Sequence, residues 1–407
     1  MALPDLGSLG WEASVLCVDA RFVAAPRDDR LLATVPVGIR VERCGAWPLG
    51  LTGALGMRTL GWRAKGSMAR AGSRLIGELK PDMVLFTTTQ YPLVSLGALW
   101  KREHGVPYVV DLQDPWVTDY YSRPGSPPPP GGWKYKVASV LARRLEPKAF
   151  EPAAGFVSVS PAYLSDLAAR YPWFAAKPQA TIPFGADERE FEAAAATETP
   201  AFERQEGMIH LVSVGAAGPI MAPALRGLFG QLGRLRESDP GLAGRLRLHF
   251  IGTSYAASGA APSVAPFADA AGVSDLVVER TDRVRWHIAQ ATMRAADGII
   301  VLGSSEPSYT PSKMAGCFLA NRPCLVVAPA GSGADRLNSE LGLGSVLDPE
   351  GGTPRALEEF LKDLGNPSPA WKARRSESLF SEHYTARARN RELAQFMDSV
   401  LVSSSKH

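Results

Sequence analysis

Short runs that are apolar almost without a break recur along this chain, and they constrain its fold more than any other feature. MVLFTTT (83–89), PYVVDLQ (107–113) and GFVSVS (155–160) are separated by longer stretches of helical period. A strand that is apolar on both sides has to be covered on both faces, which is the situation of strands in parallel α/β sheets. EASVLCV (12–18) and VGIRVER (37–43) read as strands ahead of them, and QATIPFG (179–185) follows. The pattern then restarts with MIHLVSVG (208–215) and continues through RLRLHFIG (245–252), DLVVE (275–279), GIIVLG (298–303) and PCLVVAP (323–329). Helices are predicted at 52–79, 92–104, 133–150, 161–170, 222–237, 263–272, 284–296, 311–320, 333–341 and 354–364, with a long one over 377–402. SRPGSPPPPGG (122–132) cannot be regular structure, because successive prolines remove donors and fix φ.

The two alternations are divided by ADEREFEAAAATETPAFERQEG (186–207), which is polar and rich in Ala and Glu. We read it as a linker. A chain of 407 residues is in any case too long for one ordinary core. The predicted organisation is two doubly wound α/β domains, 1–185 and 208–375, with a C-terminal helix and tail over 376–407. Ligands of such sheets bind outside the carboxyl ends of the strands, and with two domains the cleft between them is the expected site.

Several function classes are disfavoured. A formal charge of +3 without a long basic run gives no reason to expect nucleic acid. The cysteines, Cys17, Cys44, Cys317 and Cys324, form no CxxC pair and sit in or beside apolar runs, as buried free thiols do. The six histidines have no metal-ligand spacing, and His210 and His249 lie in strand-like runs as core residues. GxSxG, HExxH and the P-loop are absent from the sequence, so no metal and no resident cofactor is implied. No apolar run approaches the ~20 residues of a membrane span. The start, MALPDLGSLGWEASV, lacks a basic region followed by an apolar core, so a cytoplasmic location is expected.

Chemistry can sit at three places. In YTPSK, Thr310 can cap a helix that begins at Pro311, whose free first-turn N–H groups attract an anion. Lys313 in that turn opposes the helix dipole, a cost that an anionic ligand would offset; the plainer reading is a capped helix with a solvated lysine. In VVDLQDPW, Asp111, Gln113 and Asp114 stand at the end of a buried strand, where they could orient sugar hydroxyls or supply a base. Asp-Pro as a turn starter is the alternative. VSVGAAGPI and FIGTSYA place Gly215 and Thr253 just after strands, where backbone can approach a phosphate or simply turn.

The order of GWEASVLCVD, KPDMVLFTTTQYP, PYVVDLQDPW, FVSVSPAYLSDL and IPFGAD resembles the N-terminal half of GT-B glycosyltransferases of the family 4 type. LHFIGTSYA, ERTDRVRWHIAQATMRAADGIIVLG and SYTPSKMAGCFLANRPCLVV resemble the donor-binding half of a bacterial subgroup of them. The resemblance implies two Rossmann-like domains facing a cleft, and transfer of a sugar from a nucleotide diphosphate donor, mostly with retention and without a metal. It implies that Tyr309, Thr310, Ser312 and Lys313, with Gly215, Thr253 and Arg283, meet the donor. The loop from Glu279 to Arg285 would lie near the base, and the strand end with Asp111, Gln113 and Asp114 would face the donor sugar.

Three departures accompany it. The family's paired glutamates fall on Ser308 and Gly316, so neither acid is present. VGAAGPIMAP lacks the Arg/Lys pair often found after the first strand of the donor half, which leaves charge neutralisation to Lys313 with Arg283 or Arg285. Family members begin with a strand and a glycine-rich loop ahead of the equivalent of LGWEASVL, and MALPDLGSLG leaves room only for the end of the helix that follows. The expected function is a glycosyltransferase of cell-surface polysaccharide or glycolipid assembly, taking a glycan or lipid-linked acceptor. The alternative is a non-catalytic nucleotide-sugar-binding or partner subunit of the same fold. WKYKVASVLARRLEPKAF (133–150) mixes basic and apolar residues as interfacial helices do, so peripheral contact with the inner face of a membrane is a further expectation.

Overall fold

The computed structural model describes residues 2–23, 29–53, 59–122, 128–129, 132–254, 259–305, 309, 311–351, 354–364 and 368–404. They form two compact units. The first comprises residues 1–25, 32–183 and 389–407, and the second residues 26–31 and 184–388.

The first unit holds strands β1 (Ser14–Val18), β2 (Arg40–Cys44), β3 (Val84–Thr87), β4 (Tyr108–Leu112), β5 (Gly155–Ser158) and β6 (Gln179–Thr181). β1 and β2 pair parallel with each other, and β3 to β6 form a second parallel sheet in sequence order. The alternation along the strands shows why both faces are covered. Phe86, Tyr108, Val110, Leu112 and Phe156 point into one core with Trp100, Phe150 and Phe174, and Leu16 and Val18 of β1 pack on the same core. Val109 and Val157 point the other way, onto Phe396 and Val400 of the C-terminal helix. That helix comes so close at Gly155 that a Cβ there would stand 3.0 Å from both Phe396 and Val400.

The second unit holds β7 (Ile209–Val214), β8 (Leu246–Ile251), β9 (Val277–Arg280), β10 (Gly298–Leu302), β11 (Cys324–Val327) and β12 (Gly344–Leu347). They make one six-stranded sheet, order β12-β11-β10-β7-β8-β9, with every pairing parallel. Leu211, Leu248, Phe250, Ile300, Leu302, Leu325 and Val327 face one core, and Val212, Ile299, Val301, Cys324 and Val326 face the other. The chain winds in one direction from β7 through β8 to β9 and in the other from β10 through β11 to β12. The crevice between the carboxyl ends of β7 and β10 is therefore the topological switch point.

Some elements differ from expectation. In place of the helix expected over 52–79, Leu49–Gly53 and Leu60–Leu79 are helical and residues 54–58 between them lie outside the described residues; the 377–402 helix breaks into Glu377–His383 and Ala386–Ser404. The second break follows from a strand-like bridge of Thr385 with Ala186: Ala186 N–H donates to Tyr384 O at 3.0 Å and Ala386 N–H to Ala186 O at 2.8 Å. β12 was not anticipated, since GSVL is short and lies between two helices. Residues 186–207 contain the helix Glu188–Thr197, whose Phe191 and Ala194 are buried; Glu190 accepts from the Trp286 indole at 2.8 Å. The proline-rich segment 122–132 lies largely outside the described residues.

Candidate functional site

At the switch point of the second unit, Val214 ends β7 and Gly215 turns the chain at φ +112°. Its N–H donates to Ile251 O at 2.8 Å, and the Ala217 N–H donates to Thr253 O at 3.0 Å, so this loop lies along the end of β8. On the other side β10 ends at Leu302, and Ser305 N–H crosses to Ile220 O at 2.9 Å. Lys313 closes the crevice: its ammonium donates to Val214 O at 2.5 Å. A Cβ on Gly215 would come within 3.1 Å of that nitrogen.

The ammonium has three protons to donate and is partly buried. Burial pushes its pKa down, with the Cys317 sulfur acting weakly in the other direction. Among the described residues no carboxylate stands within ion-pair distance of it. A cation withdrawn from water without an acid beside it is costly unless something anionic arrives.

The helix behind Lys313 corrects the sequence reading. It runs Met314–Ala320, with Lys313 at its N-cap rather than inside its first turn, and Ser312 and Lys313 form the turn that leads into it. The chain is anchored instead by apolar burial, with Met314, Ala315, Cys317 and Phe318 in the core. Ser312 is exposed, Tyr309 packs at the edge of the opposite core, and Thr310, like Ser308, lies outside the described residues.

Thr253 and Glu279, both singled out in the sequence, are joined to each other. The buried Thr253 hydroxyl donates to Glu279 at 2.6 Å. The same carboxylate accepts the N–H groups of Ser263, Val264 and Ala265 at 2.9, 3.0 and 2.9 Å, where the helix Ala265–Ala270 begins. Burial pushes the Glu279 pKa up, but these four donors outweigh it and hold it below the usual carboxylate value. Glu279 is thus occupied in joining β9 to that helix. Arg283 lies beside Gly252, whose Cβ would stand 3.6 Å from its Cα. Gly316 faces Phe191 and Met293, at 3.5 and 3.9 Å from where a Cβ would be, so its surroundings are apolar.

In the first unit the end of β4 carries a polar corner. Gln113 donates to Thr87 Oγ1 at 2.8 Å and to Asp111 Oδ2 at 3.1 Å. Burial raises the Asp111 pKa, and hydrogen bonds from Gln113 and Thr87 only partly counter it. Asp114 is exposed one residue further on. Its loop is held from several sides. Tyr91 donates its hydroxyl to Asp114 O and stacks on Trp116 with ring centroids 5.4 Å apart. Val117 N–H donates to Glu146 at 3.0 Å, and Arg170 donates to Val117 O at 3.2 Å and to Glu146 at 2.6 Å.

The sequence reading brought together Gly215 and Lys313, and Asp111 and Gln113, but missed Thr87, Tyr91, Glu146 and Arg170. Thr87 ends an apolar strand in register with Asp111, a signal that was present. Glu146 is a lone acid in a basic helix, and no spacing marks it.

Comparison with solved structures identifies the fold. The HepE protein of Anabaena in complex with UDP and glucose superposes with a TM-score of 0.60 at 15% identity, over 98% of this chain and 95% of that one. Sucrose-phosphate synthase from Thermosynechococcus elongatus gives 0.64 at 12%, over 99% and 92%. A UDP-forming trehalose-phosphate synthase from Burkholderia xenovorans gives 0.53 at 14%, over 83% and 78%. The fold is GT-B, with Rossmann-like parallel α/β units. Residues 4–185 match the family model described as Glycosyl transferase 4-like domain. A sequence search of curated proteins gives no match.

Proposed function

We propose that this chain is a glycosyltransferase that moves a sugar from a nucleotide diphosphate sugar to a glycan or lipid-linked acceptor, in cell-surface polysaccharide or glycolipid assembly. The observation that carries the reading is the Lys313 ammonium on the Val214 carbonyl beside Gly215, at the switch point and without an acid partner among the described residues. A diphosphate supplies the missing negative charge. As the glycosidic bond breaks, charge grows on the leaving diphosphate, and a fixed ammonium in a partly dry crevice stabilises it. Gly215 lets the donor approach the backbone closely. In the first unit Asp111, Gln113 and Asp114 provide acceptors and an amide of the kind that orients sugar hydroxyls.

Neither unit presents a covalent nucleophile in this reading, and the donor is a substrate rather than a resident cofactor. No metal is invoked, and retention is the stereochemical course implied by the family resemblance. The match over residues 4–185 and the UDP and glucose in the HepE structure favour a nucleotide-sugar donor.

Calorimetry with a panel of nucleoside diphosphates tests it. Lys313→Ala should weaken binding by roughly tenfold or more, since a charge-assisted hydrogen bond contributes ~1.5–3 kcal/mol. Its melting temperature should stay close to that of the parent. Unchanged affinity would remove Lys313 from the site.

One observation favours a second reading. Gly316 and its apolar surroundings cannot provide the contact made by the family's second glutamate, as in a subunit that binds a nucleotide sugar without turning it over. Slow hydrolysis of one member of a nucleotide-sugar panel supports the enzyme; affinity without turnover supports the subunit.

A further inference from the structure

The helix Trp133–Phe150 has two apolar faces, and only one of them is used by the fold. Ala142, Glu146, Ala149 and Phe150 are buried. Trp133, Val137, Val140 and Leu141 are exposed by 71%, 59%, 53% and 42%. At 3.6 residues per turn these four fall in a stripe roughly 100° wide, on the side opposite the buried face. An isolated exposed valine needs no explanation, but four large apolar residues in one stripe do.

The charges around the stripe are of one sign. Lys134 lies on one flank, Lys136 and Arg143 on the other, and Arg144 and Lys148 continue the stripe; all five are exposed. The only acid in the helix, Glu146, is buried on the opposite face. Of the five, only Arg143 has a carboxylate partner among the described residues, Asp119. The Lys134 ammonium stands 6.0 Å from the Trp133 ring centre, so cation and indole sit together at the start of the stripe.

We infer that this face docks on an anionic lipid bilayer, with Trp133, Val137, Val140 and Leu141 entering the interface and the lysines and arginines meeting the headgroups. Charge decides the occupant. A second copy of the chain would bring the same five cations against these five, whereas an anionic membrane neutralises them while covering the apolar stripe. The inference does not depend on the proposed transfer reaction. Among the described residues no helix is long and apolar enough to cross a membrane, so the contact is peripheral.

The test is co-sedimentation of the full chain with vesicles of phosphatidylcholine alone and of phosphatidylcholine mixed with phosphatidylglycerol, at low and high salt. Binding is expected to the mixed vesicles only, and high salt should reverse it. Lys134→Gln with Lys136→Gln should lower the partition coefficient roughly fivefold per charge removed. Val137→Asp with Val140→Asp should abolish binding. These sites are exposed, so circular dichroism should show the variant folded. The inference fails if neutral and anionic vesicles bind alike, if neither binds, or if the aspartate variant binds as the parent does. It also fails if sedimentation shows a dimer that the aspartate variant dissolves, because the stripe would then be a subunit interface.

Discussion

Gly215 and Lys313 are a single device at the residue scale. Gly215 holds φ at +112°, a conformation that costs any other residue about 1 kcal/mol or more. Its missing side chain leaves the space in which the Lys313 ammonium reaches Val214 O. Gly215→Ala should therefore act twice. It should lower the melting temperature, and by crowding the ammonium, 3.1 Å from the new Cβ, it should shift Lys313 and weaken nucleoside diphosphate binding. If both positions serve one contact, the double variant with Lys313→Ala should bind little worse than Lys313→Ala alone. A double-mutant cycle by calorimetry measures this, and additive losses would show two independent sites. Lys313 was conspicuous in the sequence because it follows a strand in a turn of Ser, Pro and Thr. Its acceptor was invisible there, since Val214 lies 99 positions away and offers only a backbone carbonyl.

The loop after β4 shows how an element can be positioned from beneath. Glu146 and Arg170 come from the helices Trp133–Phe150 and Pro161–Arg170, and between them they occupy both backbone polar groups of Val117. Tyr171 adds a third donor to Glu146 at 3.0 Å. Burial pushes the Glu146 pKa up, against Arg170 and Tyr171, so the carboxylate depends on these partners for its charge. Removing Glu146 leaves the half-buried Arg170 without its carboxylate and the Val117 N–H without its acceptor, at a cost of roughly 1–3 kcal/mol. Glu146→Ala should lose about that much in chemical denaturation followed by fluorescence. Its nucleoside diphosphate affinity should be retained, because Lys313 belongs to the other unit, while sugar transfer should fall. Glu146→Gln keeps an acceptor for Val117 and should recover part of both losses. An unchanged denaturation midpoint in Glu146→Ala would mean that Tyr91 and the Arg170 bond to Val117 O hold the loop without the carboxylate. Nothing in the order of residues marks this clamp, since its three partners are 29, 24 and 25 positions from Glu146.

For the whole molecule, the parallel α/β architecture was legible because buried strands leave continuous apolar runs and the intervening helices leave a different period. Elements specified by tertiary contact were not. β12 exists because it pairs with β11, and the Thr385 break exists because Ala186 pairs there. Of the site, the strand ends were legible and their cross-chain partners were not. The histidines illustrate what burial adds to a correct sequence reading. His210 and His249 sit on neighbouring strands, 3.0 Å apart between Nδ1 and Nε2, and both stack against Phe202. His210 Nε2 accepts the Gln205 N–H at 3.0 Å, so His210 Nδ1 carries the proton and donates it to His249. Burial first, then the charges of His210 and Arg247, lower the His249 pKa to about 4. The unfolded chain takes up this proton near pH 6.5, whereas the folded one resists it down to about 4. The unfolded state therefore binds more protons across that window, and stability falls as pH falls through it. The full loss is roughly 3 kcal/mol, complete by the lower limit and absent above the upper one. Thermal melts between these limits should show a falling transition temperature for the parent chain. His249→Gln keeps a hydrogen-bond acceptor for His210 but cannot take up a proton, so its profile should be flatter in the same range. Parallel profiles for the two proteins would mean that acid acts through groups other than His249.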